Sequence, residues 1–244
     1  MTDKKETNQS YAKIAEEYHK KRVEGNDLNK LSEEPTTFSL LKSIKGKKIL
    51  DAGCGSGIYS KKLAQKGAKV YGLELNQNMI NLAKNYCKNL NIEFKQGSID
   101  KIPYPDNNFD IVLASLVIHY LKKPERAIKE FRRVLKDNGE LILSTTHPIV
   151  ESFIKIKDNG RKKEILITDY FKKGKYYWSL HNSKVKIPSY RMGFERLSRL
   201  LSKSGFFIQE IKEATLNKKL NLPAHLKKFI GCPIFIIIKS RKIK

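Results

Sequence analysis

Cysteine is scarce in this 244-residue chain, and the three present (Cys54, Cys87 and Cys232) form no Cys-x-x-Cys pair and no Cys/His metal spacing. An odd count without such spacing excludes a disulfide scaffold and gives no metal site. Long apolar runs are missing too. The longest aliphatic stretch near the end, Ile-Phe-Ile-Ile-Ile over 234–238, is strand-sized, far short of the roughly 20 residues that cross a bilayer. The opening Met-Thr-Asp-Lys-Lys-Glu lacks the apolar core of a secretion signal. These absences predict a cytoplasmic setting without membrane insertion. No Gly-Lys-Ser/Thr follows a glycine-rich turn and no Gly-x-Gly-x-x-Gly occurs, so neither a P-loop nor the dinucleotide fingerprint is available. Internal repeats and low-complexity linkers are absent as well.

Acidic residues are the minority partner in the charge balance, 25 against 49 basic, for a net charge of +24. The excess is uneven. Residues 151–244 hold 23 basic and 7 acidic side chains. Arginine, the better phosphate grip, supplies only 9 of the 49 cations. The excess reads either as a lysine-rich solvated face or as attraction for an anionic small molecule, a nucleic acid or an anionic surface.

What is present is a rhythm. Apolar β-branched runs at 47–52, 69–74, 91–96, 109–114 and 139–145 alternate with helical patterns at 58–66, 77–88 and 124–135. That alternation predicts right-handed βαβ crossovers, a doubly wound parallel sheet and helices on both faces. Helical spacing of Tyr11, Ile14, Ala15 and Tyr18 predicts a helix within 10–30, and a second covers 36–44 beyond Pro35. After His147-Pro148 the rhythm breaks into a lysine- and aromatic-rich stretch, resumed by a helix at 193–204 and strands at 206–213 and 233–239. The last two strands are expected as an antiparallel pair at one sheet edge. The organisation expected is one domain over 1–244. It comprises a helical cap (1–45), a ligand-binding core (46–147), a substrate-side insertion or lid (149–190) and a closing helix with a strand pair (191–244).

The most informative stretch is Ile-Leu-Asp-Ala-Gly-Cys-Gly-Ser-Gly over 49–57. Glycines at 53, 55 and 57 let the backbone turn sharply and come close to a ligand. Asp51, at the strand end, opposes a pyrophosphate at the next helix N-terminus and suits a ligand carrying an ammonium group. Glu74 closes the second strand about 20 residues later, where a ribose-binding acid is expected. Acid, glycine triplet, helix, strand and acid together point to a phosphate-free nucleoside bearing an amino acid.

With these motifs, and with Gly-Ser-Ile-Asp-Lys-Ile-Pro at 97–103, Asn-Phe-Asp-Ile-Val at 108–112 and Ser-Leu-Val-Ile-His-Tyr-Leu at 115–121, the chain resembles class I S-adenosylmethionine-dependent methyltransferases with a type 11 methyltransferase domain. The resemblance implies a Rossmann-like sheet of seven strands with the last one antiparallel. It implies S-adenosylmethionine as cofactor and S-adenosylhomocysteine as product. It places Asp51, Ala52, Gly53, Cys54, Gly55 and Gly57 around the methionine part, Glu74 and Leu75 at the ribose, and Met79, Ser98 and Ile99 at the adenine. Ser115 would face the amino acid end, and Tyr11 and Tyr18 would close over the cofactor. Ser98 departs from the acid common at that position, with Asp100 as a substitute.

Among the five histidines, His119 and His147 follow strands four and five and are the candidate general bases, since imidazole titrates near neutrality. Tyr177, Trp178, His181, Tyr190 and Arg191 are the candidate substrate contacts in the lid. The expected reaction is in-line methyl transfer to a small-molecule acceptor, by a monomer or homodimer. RNA or protein methylation, motivated by the basic C-terminal part, and cofactor binding without catalysis are the rivals. The segment after strand four lacks the Asn/Asp-Pro-Pro-Tyr/Phe run of base-amino methyltransferases, and no Pro-Cys nucleophile is present.

Overall fold

The computed structural model describes residues 3–25, 27–158, 163–180, 183–217, 219 and 222–243. Its first elements are helix α1 (Asp3–Glu24), a π-helical turn (Asn29–Glu33) and α2 (Glu34–Leu40). Thr7, Ser10, Ile14 and Ala15 form the buried face of α1, at the spacing of one helical stripe. The helix starts seven residues earlier than its apolar pattern indicates, because its first turns are held by polar tethers. Pro35 stands in the first turn of α2, where its missing N–H costs no helical bond.

Strands β1 (Lys48–Ala52), β2 (Lys69–Glu74), β3 (Ile92–Gln96), β4 (Phe109–Ala114) and β5 (Leu135–Thr146) pair in parallel. They are linked by α3 (Ile58–Gln65), α4 (Gln77–Tyr86) and α5 (Glu125–Val134). Beyond β5 come α6 (Pro148–Glu151), the hairpin β6 (Phe153–Asp158) and β7 (Lys163–Thr168), and the hairpin β8 (Lys175–Trp178) and β9 (Ile187–Tyr190). Helix α7 (Phe194–Lys203), β10 (Phe206–Ala214), α8 (Ala224–Lys227) and β11 (Phe235–Lys242) complete the order.

The seven-stranded sheet runs β10-β11-β5-β4-β1-β2-β3. Strand β11 lies antiparallel between β5 and β10, so the last strand is inserted one place in from the edge. This is the doubly wound, mostly parallel architecture expected from the sequence. Both faces are covered, as parallel sheets require. Alternate residues of β1 go to opposite sides: Leu50 joins Phe109, Phe131 and Leu197 beneath α5 and α7, while Ile49 joins Leu63, Leu40 and Leu226 beneath α2, α3 and α8.

Two local differences have clear causes. Strand β5 begins at Leu135, directly after α5. Asn138 adopts a left-handed conformation (φ 59°) and the register against β4 shifts there, so the Asn-Gly turn lies within the strand. Residues 149–190 carry strands where only an aromatic, basic lid was expected.

The chain leaves β1 toward β2 and β3 on one side, then returns to β4 and β5 on the other. The crevice between β1 and β4, at their C-terminal ends, is the switch point where open α/β sheets bind ligands.

Candidate active site

A cavity of about 1030 Å³ opens over the C-terminal ends of β1, β2, β4 and β5. Its floor is the glycine turn. Gly53 and Cys54 donate their N–H groups to the Leu73 carbonyl (2.7 and 3.1 Å), drawing the turn against β2. Gly53 has φ 81°, and a Cβ there would meet Val117 Cγ2 at 2.5 Å, so only glycine fits. Gly55 (φ 52°) has open space where its Cβ would be.

Asp51 and Glu74 are the acids of this floor, and both line the cavity. Asp51 is 2% exposed and accepts a hydrogen bond from Ser60 Oγ at 2.6 Å. No ion pair to Asp51 forms among the described residues, and burial pushes its pKa up to about 7. Glu74 accepts from the Gly55 and Asn76 N–H groups (3.1 and 2.9 Å), and burial raises its pKa as well. The backbone bonds fix the Glu74 carboxylate at the strand end.

The roof is α1. Asn76 caps α4 by accepting from the Met79 N–H (3.1 Å), and its amide donates to the Asn8 carbonyl and Asn8 Oδ1 (2.9 and 2.7 Å). Lys4 pairs with Asp100 at 2.6 Å, and Asp100 also accepts from Ser98 Oγ at 2.7 Å. Tyr11 and Tyr18, on one face of the helix, meet edge to face (5.6 Å), and the Tyr11 and Tyr120 hydroxyls lie 2.6 Å apart.

The far wall follows β4 and β5. Leu116, a non-glycine residue with φ 49°, is strained and is held by its N–H donating to the Ser144 carbonyl and Oγ (3.1 and 3.0 Å). Ser144 and Ser115 in turn donate to Glu33 Oε1 (2.5 and 2.9 Å). Glu33 is fully buried and also accepts from Thr37 (2.8 Å) and from the Tyr59 hydroxyl. His119, 4% exposed, sits with Nδ1 at 3.0 Å from Thr145 Oγ1. Burial pushes its pKa down to about 3, so the ring is neutral at pH 7. Its Nε2 has no partner among the described residues.

The cavity thus brings together Tyr11, Tyr18, Asp51, Gly53, Cys54 and Gly55. Glu74, Leu75, Met79, Ser98, Ile99, Ser115, His119 and Trp178 line it too. Ala52 and Gly57 stand just outside the lining. His147 does not face the cavity. Its Nδ1 accepts from the Ile149 N–H (3.2 Å), its Nε2 meets Glu213 at 2.7 Å, and Phe194 packs on the ring. Both ring nitrogens are therefore occupied, and His147 is a helix cap. Tyr190 is buried in β9, outside the lining. Arg191 stands behind the wall, its Nε donating to the Glu151 carbonyl (3.0 Å) and its guanidinium over Tyr176. Tyr177 is half-exposed and donates to Glu6 (3.1 Å). His181 lies outside the described residues.

Sequence reasoning missed Arg22, Tyr59, Tyr120 and Tyr176, which line the cavity, and Glu33 behind it. Tyr120 neighbours His119 in a segment already singled out. Glu33 carried no signal, since Ser115 and Ser144, which tie it to the cavity wall, are 82 and 111 residues away.

Residues 50–143 match the family model for a methyltransferase domain. Among similar proteins, an uncharacterized protein of Haemophilus influenzae is 27% identical over 93% of each chain. The ubiquinone biosynthesis O-methyltransferase of Coxiella burnetii is 32% identical over 114 residues, 46% of this chain and 49% of that protein. The chain therefore matches only about half the length of that named relative. The crystal structure of an S-adenosylmethionine-dependent methyltransferase from Mesorhizobium loti aligns with TM-score 0.74 and 23% identity, covering 86% of this chain and 97% of the other. Residues 50–143 thus carry a methyltransferase domain, and the fold is similar to that of an S-adenosylmethionine-dependent methyltransferase. The domain match implies S-adenosylmethionine as the cofactor.

The residues fit that cofactor on the structure's own terms. Asp51 is a buried carboxylate at the cavity floor with no cationic partner among the described residues, the environment an ammonium group would relieve. The open space beside Gly55 and the fixed Glu74 carboxylate suit a nucleoside without phosphate.

Proposed function

We propose that this enzyme methylates a small, largely apolar acceptor, and that the cavity wall around His119 receives it. The observation that carries this reading is the continuity of the cavity. Beyond Asp51 and Ser115 it extends to Tyr120, Thr146, Val150, Tyr176, Trp178 and Leu180, an aromatic wall with few polar anchors, as small-molecule sites have. The name of the Coxiella relative, an O-methyltransferase, favours a hydroxyl acceptor.

In this reading Asp51 holds the cofactor's ammonium and Glu74 its ribose hydroxyls, while Leu75, Met79, Ser98 and Ile99 border the adenine. The Gly53, Cys54 and Gly55 backbone and Ser115 surround the amino acid end, and Tyr11 and Tyr18 close the roof. Bound there, S-adenosylmethionine supplies a methyl group already activated as a sulfonium. The chain's own work is alignment and exclusion of water, and orientation of this kind supplies on the order of 7–11 kcal/mol in favourable cases. His119, with Nδ1–H donating to Thr145, presents the Nε2 lone pair to an acceptor hydroxyl. A neutral imidazole is a weak base at this depth, but the hydroxyl becomes strongly acidic as its oxygen gains the methyl. Nε2 therefore serves by orienting the hydroxyl and taking its proton late.

Isotope-labelled methyl transfer from S-adenosylmethionine, offered to phenols and catechols in parallel with bulk RNA and protein, tests the assignment. Label in the organic-extractable fraction is expected. His119→Ala should lower turnover by about 10²-fold while cofactor affinity by calorimetry stays unchanged. Transfer to RNA or protein alone would overturn it.

A further inference from the structure

Glu33 stands behind the cavity wall in surroundings that are unusual for a carboxylate. It is fully buried, and among the described residues no cation pairs with it. Arg22, which lines the cavity, pairs with Asp27 and Glu34 instead. A buried charge without a counter-ion is costly unless hydrogen bonds take its place. Four hydroxyls do so here. Thr37 and Ser144 donate from within the wall (2.8 and 2.5 Å), and the Ser144 oxygen also accepts the Leu116 N–H. Ser115 (2.9 Å) and Tyr59 donate from the side that lines the cavity.

The direction of these bonds decides what the chamber meets. A hydroxyl has one proton and two lone pairs. Ser115 and Tyr59 each give the proton to Glu33, so each turns lone pairs toward the chamber. Tyr59 keeps that proton to give, because burial first and Glu33 second hold its pKa well above the usual phenol value. The two hydroxyls neighbour each other, and both stand beside Asp51. Ser115 is two residues beyond Leu113, the β4 partner of Asp51. Tyr59 directly precedes Ser60, whose hydroxyl donates to Asp51. That corner thus offers a carboxylate and two hydroxyl oxygens as acceptors, a match for the three N–H bonds of a primary ammonium.

We propose that Glu33 is a positioning residue for the ammonium group of S-adenosylmethionine: by taking the protons of Ser115 and Tyr59, it aims both oxygens, with Asp51, at that group. The proposal rests on the placement of the ammonium at Asp51 under the proposed function. It adds a selectivity, since a site built to accept hydrogen bonds discriminates against an analogue that cannot donate them.

Calorimetric titration of the full chain tests this with two ligands: S-adenosylhomocysteine, and the same molecule with hydrogen in place of the amino group. No acceptor is present, so the result is independent of what is methylated. The parent should prefer the amine by at least about tenfold. In Glu33→Gln the carboxamide N–H groups meet the hydroxyls and turn at least one of them into a donor toward the chamber. Affinity for S-adenosylhomocysteine should fall about tenfold, while that for the deaminated analogue stays within about twofold. Tyr59→Phe and Ser115→Ala each delete one acceptor and leave Glu33 in place. They should show the same selective loss in smaller measure, and they decide the matter if Glu33→Gln does not fold. Equal weakening of both ligands would make Glu33 a purely structural residue and overturn the proposal. If the Glu33, Tyr59 and Ser115 variants keep the parent's preference while Asp51→Asn loses it, this proposal alone fails. If the parent shows no preference for the amine, the ammonium site at Asp51 falls with it.

Discussion

Asp51 is a buried carboxylate on the cavity floor whose charge depends on pH. Its pKa rises from 3.8 to about 7 because burial penalises the carboxylate. For an acid whose folded pKa is raised, the folded state binds the proton more tightly. The resulting stability is complete below the unfolded value near 3.8 and is lost as pH rises to about 7. The ligand-free protein should thus lose melting temperature across that window, and Asp51→Asn should flatten the loss. Cofactor affinity should run the other way, rising with pH toward 7 as the carboxylate becomes available to an ammonium. In Asp51→Asn that affinity should fall by roughly 10–100-fold, the worth of one charge-assisted bond. Calorimetric titration at several pH values checks both signs, and a pH-independent affinity in the parent would remove Asp51 from the ammonium site. The places of Asp51 and Glu74 in the cavity lining were legible because the signal is local: an acid at a strand end beside a glycine turn. The role of His147 was not, because two histidines following neighbouring strands look alike until Glu213 and the α6 N-terminus claim one of them.

Among the elements, α1 and the turn after β4 are the parts whose positions depend most on distant contacts. Helix α1 is tied to the α4 N-terminus through Asn8 and Asn76, and to the β8–β9 hairpin through Glu6 with Lys175 and through Ser10 donating to the Lys186 carbonyl. Removing the Asn76 side chain should loosen both the α4 cap and the roof. Asn76→Ala is expected to cost roughly 0.5–2 kcal/mol as a lost cap and to speed amide hydrogen exchange across the first turns of α1. Unchanged exchange there would show that the roof is held elsewhere. The Glu33 network acts similarly on the β4 side: four hydroxyl groups converge on one carboxylate and hold the strained Leu116 turn. The alternating strands and helices were readable from periodicity and glycine punctuation, since β1 to β4 bury apolar residues on both faces. The hairpins in 149–190 were not, although Phe-Ile-Lys-Ile-Lys at 153–157 alternates with strand period. Aromatic and lysine content read as a lid obscured that signal. The π-helical turn at Asn29–Glu33 had no sequence mark, because it is set by its tertiary burial.

Across the protein as a unit, 49 basic side chains face 25 acidic ones, a net charge of +24, so nearly half of the cations have no acid of their own to pair with. Like charges spread over one compact body repel, and added salt screens that repulsion. The melting temperature should accordingly climb as sodium chloride is raised from low to moderate concentration, and a falling midpoint would show that specific ion pairs outweigh the net field. No helix among the described residues is long and apolar enough to cross a membrane. The architecture has one further, practical consequence. Lys4, in the first turn of α1, lines the chamber and reaches Asp100, whereas Ile243, just past β11, is half-exposed. A bulky label attached in the first turn of α1 would crowd the chamber's roof, whereas one at Ile243 would stand clear of its lining.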